Sequence, residues 1–265
     1  MKKQKKIWNK IIFIIGLLLV SYPLVSSMIE RQHQKDAVAT YQGSIEAEDK
    51  SQIQDAIAKA SEYNNMLFQT QGASIGDLQN GILSEENYEN LLNLSGTGVM
   101  GSIEIPKINV DIPIYHGTSE EVLASGVGHF QDSSLPVGGN NTRCILTGHR
   151  GLPNSKLFTR LDELEKEDLF YKYVWGNFSI SHYRNRSSRT GGSRAAGDFT
   201  GKGFMYLNNL YPLWINTQRL VVTGERVPMK KWNMTVLREN CLLFGKLSLW
   251  YYLLFFMMAG LISFF

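Results

Sequence analysis

Cysteine is scarce in this chain, because the 265 residues include only Cys144 and Cys241. Two cysteines cannot build a disulfide-stapled mini-protein, and neither stands in a Cys/His spacing typical of a zinc site. An excess of one charge is also missing, since 27 Lys and Arg face 24 Asp and Glu. This balance argues against nucleic-acid binding driven by overall charge. The sequence therefore predicts no metal site and no nucleic-acid partner.

A long apolar run lies near the N-terminus. Residues 1–10 carry five lysines, and residues 11–28 are apolar apart from three serines, Tyr22 and Pro23. A basic flank before an apolar run is typical of a signal peptide or a membrane anchor. Because the run is long and no small-x-small cleavage site ends it, we favour an uncleaved anchor over residues 1–29. The lysines predict a cytoplasmic N-terminus and an extracellular location for the residues beyond the anchor.

A second uncharged stretch covers residues 247–265. Trp250, Tyr251 and Tyr252 lie near its start, where an interfacial aromatic belt would be expected. The alternative is a buried core helix, which is disfavoured because a helix of a soluble protein normally has a polar face. The sequence thus predicts a transmembrane helix at each end of the chain.

Between the two apolar stretches, the pattern changes once. Residues 30–97 are polar and predict a helical stalk. Its apolar positions recur at near-helical intervals: Ile45, Ile53, Ile57, Ala60, Tyr63 and Leu67. From Gly101 the pattern favours strands, with alternation over 101–115, a mostly buried strand at 143–147 and another at 216–223 ending at Gly224. We expect a mainly β domain over residues 98–228, followed by a linker over 229–246.

Two side chains of this domain are candidates for chemistry. His149 follows a mostly buried strand, and flanking glycines permit close backbone approach to an imidazole that can transfer protons. Arg219 stands in the middle of a strand, where a guanidinium could bind a carboxylate or stabilise an oxyanion. Taken alone, each also fits an ordinary structural role, as a loop histidine and as a solvated or ion-paired arginine.

Several segments together resemble the sortases, membrane-anchored cysteine transpeptidases of the Gram-positive cell surface, and especially their class C or pilin-polymerising branch. These segments are GSIEIPKI at 101–108, IYHGT at 114–118, GHF at 128–130, LTGHRGLP at 146–153, KLF at 156–158 and INTQRLVV at 215–222 with Gly224. The resemblance implies an eight-stranded β-barrel outside the cytoplasmic membrane. It also implies that His149 is the catalytic histidine, that Arg219 is the catalytic arginine, and that no cofactor is needed.

In that family, a cysteine attacks the Thr–Gly bond of an LPxTG-like sorting signal and forms an acyl-enzyme. The acyl group then passes to an amine, which joins surface proteins or pilins. The resemblance places this cysteine in a TCTPYG-like segment just before Ile215, but residues 209–214 read NLYPLW. Cys144 precedes His149 by five residues, roughly 16 Å along a strand, so we expect it to be a buried core residue. The chain is therefore predicted to be inactive.

The segment around the missing cysteine has an unusual composition. Residues 176–204 are rich in Gly, Ser and Arg, which disfavours strands, so we expect the barrel to be disrupted over 175–214. Compatible codons read one base out of register, from the second base of the Trp175 codon, encode GEILAYHIIEIEVVEPEE, later ILPGKDL and finally ITCTPYG. We hypothesise that two compensating frameshifts replaced this segment. The alternative is a genuine Arg/Gly-rich insert that binds an anionic partner.

The expected lid motif is also absent. Pilin-polymerising sortases carry an Asp-Pro-aromatic motif before the barrel, whereas residues 83–90 read LSEENYEN. We expect Tyr88 to be a packing residue of the stalk, with substitution for the lid aromatic as the alternative. The competing functional class is a non-catalytic, membrane-anchored peptide-binding protein or a decayed remnant.

Overall fold

The computed structural model describes residues 2–70, 85–151, 157–190, 202–210 and 218–227. The predicted linker and the predicted C-terminal transmembrane helix lie outside these ranges. The helices are α1 (Lys2–Ala47), α2 (Lys50–Gln69), α3 (Glu85–Asn90) and α4 (Glu120–Ser125). The strands are β1 (Val99–Ile105), β2 (Val110–His116), β3 (Val127–His129), β4 (Thr142–His149), β5 (Leu169–Val174), β6 (Asn177–Thr190), β7 (Gly203–Leu210) and β8 (Gln218–Val227).

Helix α1 contains the N-terminal apolar run. An apolar window within Trp8–Ala47 has a mean hydropathy of 2.3, and none of it is buried inside the protein. By length and composition this helix can cross a membrane. Its C-terminal part is attached to the barrel, because the buried Tyr41 hydroxyl donates to Met100 O at 3.3 Å and accepts from Trp175 N at 2.6 Å.

The predicted packing stripe of α2 is confirmed. Ala60 and Tyr63 are buried in the core, and Ile53, Ile57 and Leu67 pack against it. The buried Asn64 fixes the helix to the barrel through two hydrogen bonds: its Nδ2 donates to Leu135 O at 3.1 Å, and its Oδ1 accepts from Leu135 N at 2.6 Å. An amide side chain that pairs with a backbone amide in this way satisfies both groups away from water.

The eight strands form a closed barrel in the order β1-β2-β3-β4-β7-β8-β6-β5, which confirms the predicted architecture. The alternation of β1 and β2 places Ile103, Ile105, Ile112 and Ile114 in the core. Pro106 lies in a 3-10 turn between these strands, as expected for a residue that cannot donate to a sheet ladder. The core therefore fills the barrel interior and continues under α2 and α3.

The predicted disruption over residues 175–214 is corrected by the described part of that segment. Strand β6 pairs with β5 and β8, and β7 pairs with β4 and β8, so the ring closes through both. Sheet ladders consist of backbone hydrogen bonds, and neighbours on both sides hold a strand whose composition is unfavourable. Residues 191–201 and 211–217 of this segment lie outside the described ranges.

Strand β8 also differs from the sequence expectation, because it continues past Gly224 to Val227. Gly224 does not end the strand. It makes room for the Phe170 ring instead, since a Cβ at this position would overlap with Phe170 Cζ. A glycine inside a strand pattern often marks such a close approach rather than a turn.

Candidate functional site

His149 is the last residue of β4, and the strand is fixed at this point by its neighbours. The backbone oxygen of His149 accepts a hydrogen bond from Phe158 N at 3.2 Å. The ring of Phe158 packs so closely on Gly148 that a Cβ there would lie 2.9 Å from Phe158 Cδ2. The His149 side chain is 17% exposed, so it is held by packing yet accessible to a ligand.

An acidic group that the sequence analysis did not single out lies beside this imidazole. Glu120 Oε2, on the first residue of α4, is 4.0 Å from His149 Nε2. Ser119 caps this helix by accepting from Val122 N at 3.3 Å, which positions Glu120 over the strand end. The Glu120 side chain is 90% exposed, so solvent screens the contact strongly. A Ser-Glu-Glu run was the sequence signal for this helix start.

The strand register brings His149 and Arg219 to the same end of the barrel. Strands β4 and β7 run parallel, with His149 opposite Leu210. Strands β7 and β8 run antiparallel, with Asn208 opposite Val221. This pairing ends at Asn208 and Val221, and Arg219, two residues before Val221 near the start of β8, lies toward the same end of the barrel as Leu210. His149 and Leu210 are paired and Arg219 lies at the same end of the next strand, and we call these three residues the site row.

No residue of the site row is a cysteine. Cys144 lies five residues before His149 on β4, opposite Met205, and is 3% exposed. Burial raises the pKa of the Cys144 thiol to about 12, so the thiol stays protonated at neutral pH. Nucleophilic attack requires the thiolate. The expectation that Cys144 is a buried core residue is confirmed, and its thiol is not placed to act at the site row.

Tyr88 is likewise buried, as expected for a packing residue. Its hydroxyl lies 2.9 Å from Nδ1 of His129, a buried histidine at the end of β3 that belongs to the GHF segment.

Lys172 on β5 is also buried, and burial lowers the pKa of its amine to about 8. Among the described residues, no three His, Cys, Asp or Glu side chains come together as metal ligands.

The sortase domain family matches residues 103–227, which contain most of the barrel. Among solved structures, the chain is similar to sortase C1 of Streptococcus agalactiae, with 35% identity, a TM-score of 0.65, and coverage of 74% of this chain and 100% of that one. It is also similar to a Clostridium perfringens sortase C solved with the C-terminal cell wall sorting motif, with 33% identity, a TM-score of 0.61, and coverage of 73% and 99%.

Curated relatives match over shorter stretches. Sortase D of Bacillus subtilis is 46% identical over 68 residues, which are 26% of this chain and 31% of that protein. Sortase A of Listeria monocytogenes is 25% identical over 167 residues, or 63% of this chain and 66% of that protein. This chain spans less than two thirds of the length of either protein. Because solved relatives above 30% identity are covered over their whole length and share the closed barrel, the chain belongs to the sortase family.

Proposed function

We propose that this chain is a membrane-anchored sortase that retains its acid/base and oxyanion-binding residues but has lost its nucleophile and does not transfer acyl groups. The observation that carries the proposal is the pairing of His149 with Leu210 at the end of β4 and β7. Leucine offers no atom that can form an acyl intermediate. The only cysteine among the described residues is Cys144, which is buried on the incoming strand.

The roles of the two retained residues follow from their chemistry. His149 is the proton donor and acceptor for the leaving and entering amines. Arg219 stabilises the oxyanion or binds a carboxylate of the substrate. The substrate class is an LPxTG-like sorting signal of surface proteins or pilins, and the solved Clostridium perfringens relative with its sorting motif supports this assignment. In an intact ancestor, a thiol at the site row would have accepted the acyl group and passed it to an amine.

We place the protein in the cytoplasmic membrane with the barrel outside. The lysines before the apolar segment of α1 favour a cytoplasmic N-terminus, and α1 is long and apolar enough to span the bilayer. The uncharged residues 247–265 would form a second anchor, joined to the barrel by residues 229–246.

We attribute the missing thiol to two compensating frameshifts, one near residues 174–175 and one near residue 214. The offset codons supply a Cys codon that straddles Leu210 and Tyr211, which is the site-row position that β7 reaches beside His149. The coding DNA tests this attribution. Out-of-register codons matching the offset segment are expected, and codons that cannot encode it in the shifted frame would refute it.

A peptide assay tests the loss of chemistry. The full chain in detergent micelles is mixed with an LPxTG-like peptide and an amine acceptor, and cleavage and covalent adducts are followed by mass spectrometry beside an intact sortase C. We expect neither product from this chain. Turnover that survives alanine replacement of both Cys144 and Cys241 would overturn the proposal. A matched version with residues 175–214 exchanged for the offset translation is expected to form the adduct.

A second candidate is a non-catalytic peptide-binding protein. The closed barrel and the accessible His149 side chain favour it, because the described site keeps its backbone framework. Saturable binding of the LPxTG-like peptide without an adduct would support this function. No binding, together with rapid proteolysis of the barrel in membranes, would identify a decayed remnant instead.

A further inference from the structure

Tyr88 attaches helix α3 to the barrel core. Its side chain is 1% exposed, and its hydroxyl accepts a hydrogen bond from Gly117 N at 3.0 Å. The ring stacks on His129 at a centroid distance of 5.8 Å and meets His116 edge-on at 5.2 Å. One side chain of a six-residue helix is therefore enclosed by two imidazoles of the barrel.

The hydrogen bonds of His129 specify a neutral ring. Its Nε2 lies 2.9 Å from Ser134 O, which can only accept, so Nε2 carries the proton. Its Nδ1 then accepts from the Tyr88 hydroxyl at 2.9 Å. The side chain is 0% exposed, and burial lowers the pKa of His129 to about 4.

A second proton on His129 would add a buried positive charge that its hydrogen-bond partners do not neutralise. The hydroxyl of Tyr88 could turn to His129 O at 3.2 Å, so the hydrogen bonds could rearrange. The charge could not be neutralised in the same way. The charged groups that act on His129 are His116 from β2 and Lys172 from β5, and both lower its pKa. The Ser133 hydroxyl, 3.2 Å from Nε2, and the Ser134 carbonyl are uncharged.

His116 holds the same part of the chain in a different way. Its Nε2 lies 2.6 Å from Leu91 O and its Nδ1 lies 3.1 Å from Gly98 O. Burial lowers the pKa of His116, whereas both carbonyls and the nearby Glu89 carboxylate raise it. A proton on His116 would thus gain a second donated hydrogen bond to this segment, so we attribute acid sensitivity to His129 instead.

We propose that Tyr88 and His129 form an acid-sensitive clasp that holds residues 85–98 on the barrel while His129 is neutral and releases them when it is protonated. When residues 85–98 leave the barrel, Tyr88 leaves with them and water solvates the His129 imidazolium. A histidine whose pKa is lowered in the closed form stabilises that form above its ordinary pKa, and this stabilisation is lost as the pH falls. With a pKa of about 4 when clasped and the usual 6.5 when open, the opening equilibrium should rise about thirtyfold from pH 7.5 to pH 5.

Hydrogen exchange with mass spectrometry tests the clasp on the full chain in detergent micelles. Protection factors, corrected for the intrinsic pH dependence of exchange, are compared at pH 7.5 and pH 5. Peptides covering residues 85–98 should lose about thirtyfold in protection, while peptides from β1 and β2 keep theirs. Equal protection of residues 85–98 at both pH values would overturn the proposal, as would a parallel loss in β1 and β2, which would indicate global acid unfolding.

Two variants assign the effect to one histidine. His129→Gln removes the titratable group and should abolish the pH dependence of protection at residues 85–98. The control His33→Gln replaces an exposed histidine of α1 and should leave that dependence unchanged. If His129→Gln keeps a thirtyfold change, the assignment is wrong. If this variant does not fold, the wild-type comparison with β1 and β2 still decides the proposal.

Discussion

His149 and Leu210 are register partners, and each is the last residue of its strand. This parallel pairing puts the end of β7 beside the imidazole. If His149 has the acid/base role proposed above, a nucleophile at residue 210 would lie beside it.

Leu210→Cys should therefore create a reactive thiol. We expect iodoacetamide to alkylate Cys at position 210 at neutral pH at least about tenfold faster than Cys144, because Cys144 is buried and its pKa is raised to about 12. The measurement is intact-protein mass spectrometry over time in a Cys241→Ala background. The matched control is Leu207→Cys, three residues earlier on β7 at a fully buried position, which should stay unmodified. Equal rates at 207 and 210 would contradict the proposed site row.

Lys172→Met should stabilise the barrel at neutral pH. The lysine is 4% exposed, and burial lowers the pKa of its amine to about 8, so charging it in the folded state costs free energy. In the unfolded chain the amine has its usual pKa of 10.5. The difference between the two pKa values corresponds to about 3 kcal/mol of extra stability for the variant below pH 8. The gain should shrink between pH 8 and pH 10.5, where the amine is neutral in the folded state but still charged in the unfolded chain, and vanish at higher pH.

Urea unfolding of the full chain in micelles across this pH range measures the difference. Lys59→Met is the control, because Lys59 is exposed on α2 and paired with Asp55 at 2.7 Å. That exposed pair should contribute little at any pH. A pH-independent difference for Lys172→Met would show that the lysine is not buried as a titrating group.

Gly224→Ala should destabilise the barrel. The added Cβ would overlap with Phe170 Cζ, and overpacking of this kind costs about 1–3 kcal/mol or more. Combining it with Phe170→Leu should recover part of the loss, because the shorter side chain leaves room. As a control, Gly43→Ala in α1 meets nothing within 4 Å and should be neutral or slightly stabilising. The midpoint of urea unfolding reports all three, and an unchanged midpoint for Gly224→Ala would contradict the packing.

Tyr41→Phe should weaken the attachment of α1 to the barrel. It leaves the buried Trp175 N–H without its acceptor at 2.6 Å, a loss of about 1–3 kcal/mol. The ring contact with Trp175, with centroids 5.3 Å apart, is kept. Tyr22→Phe, at an exposed position of the same helix, is the control and should leave the unfolding midpoint in place. Equal midpoints for the two variants would mean that the hydroxyl contributes nothing.

Periodicity predicted those parts of the fold in which one face is buried. The stripe of α2 that includes Ala60 and Tyr63 and the burial of Cys144 were both foreseen, because side-chain spacing sets which face meets the core. The eight-stranded ring and the roles of His149 and Arg219 came from the resemblance. The ring is confirmed and its strand order puts the two residues at the same end of the barrel, whereas their roles stay predictions.

The remaining features depend on contacts between distant segments. Strands β6 and β7 were missed because composition records local propensity, whereas their neighbours in the ring hold them in place. The end of β8 was misplaced because the close approach of Phe170 to Gly224 joins residues far apart in the chain. The enclosure of Tyr88 by His129 and His116 needs three separate segments and leaves no periodic signal.

The ladder between β4 and β7 is built from main-chain amides, so the place beside His149 persists whichever side chain occupies it. The side chain at residue 210 can therefore be changed without changing the barrel. A single substitution could install a hydroxyl or a thiol there while the ring of strands stays as it is, so variants of this chain can compare nucleophiles on one scaffold.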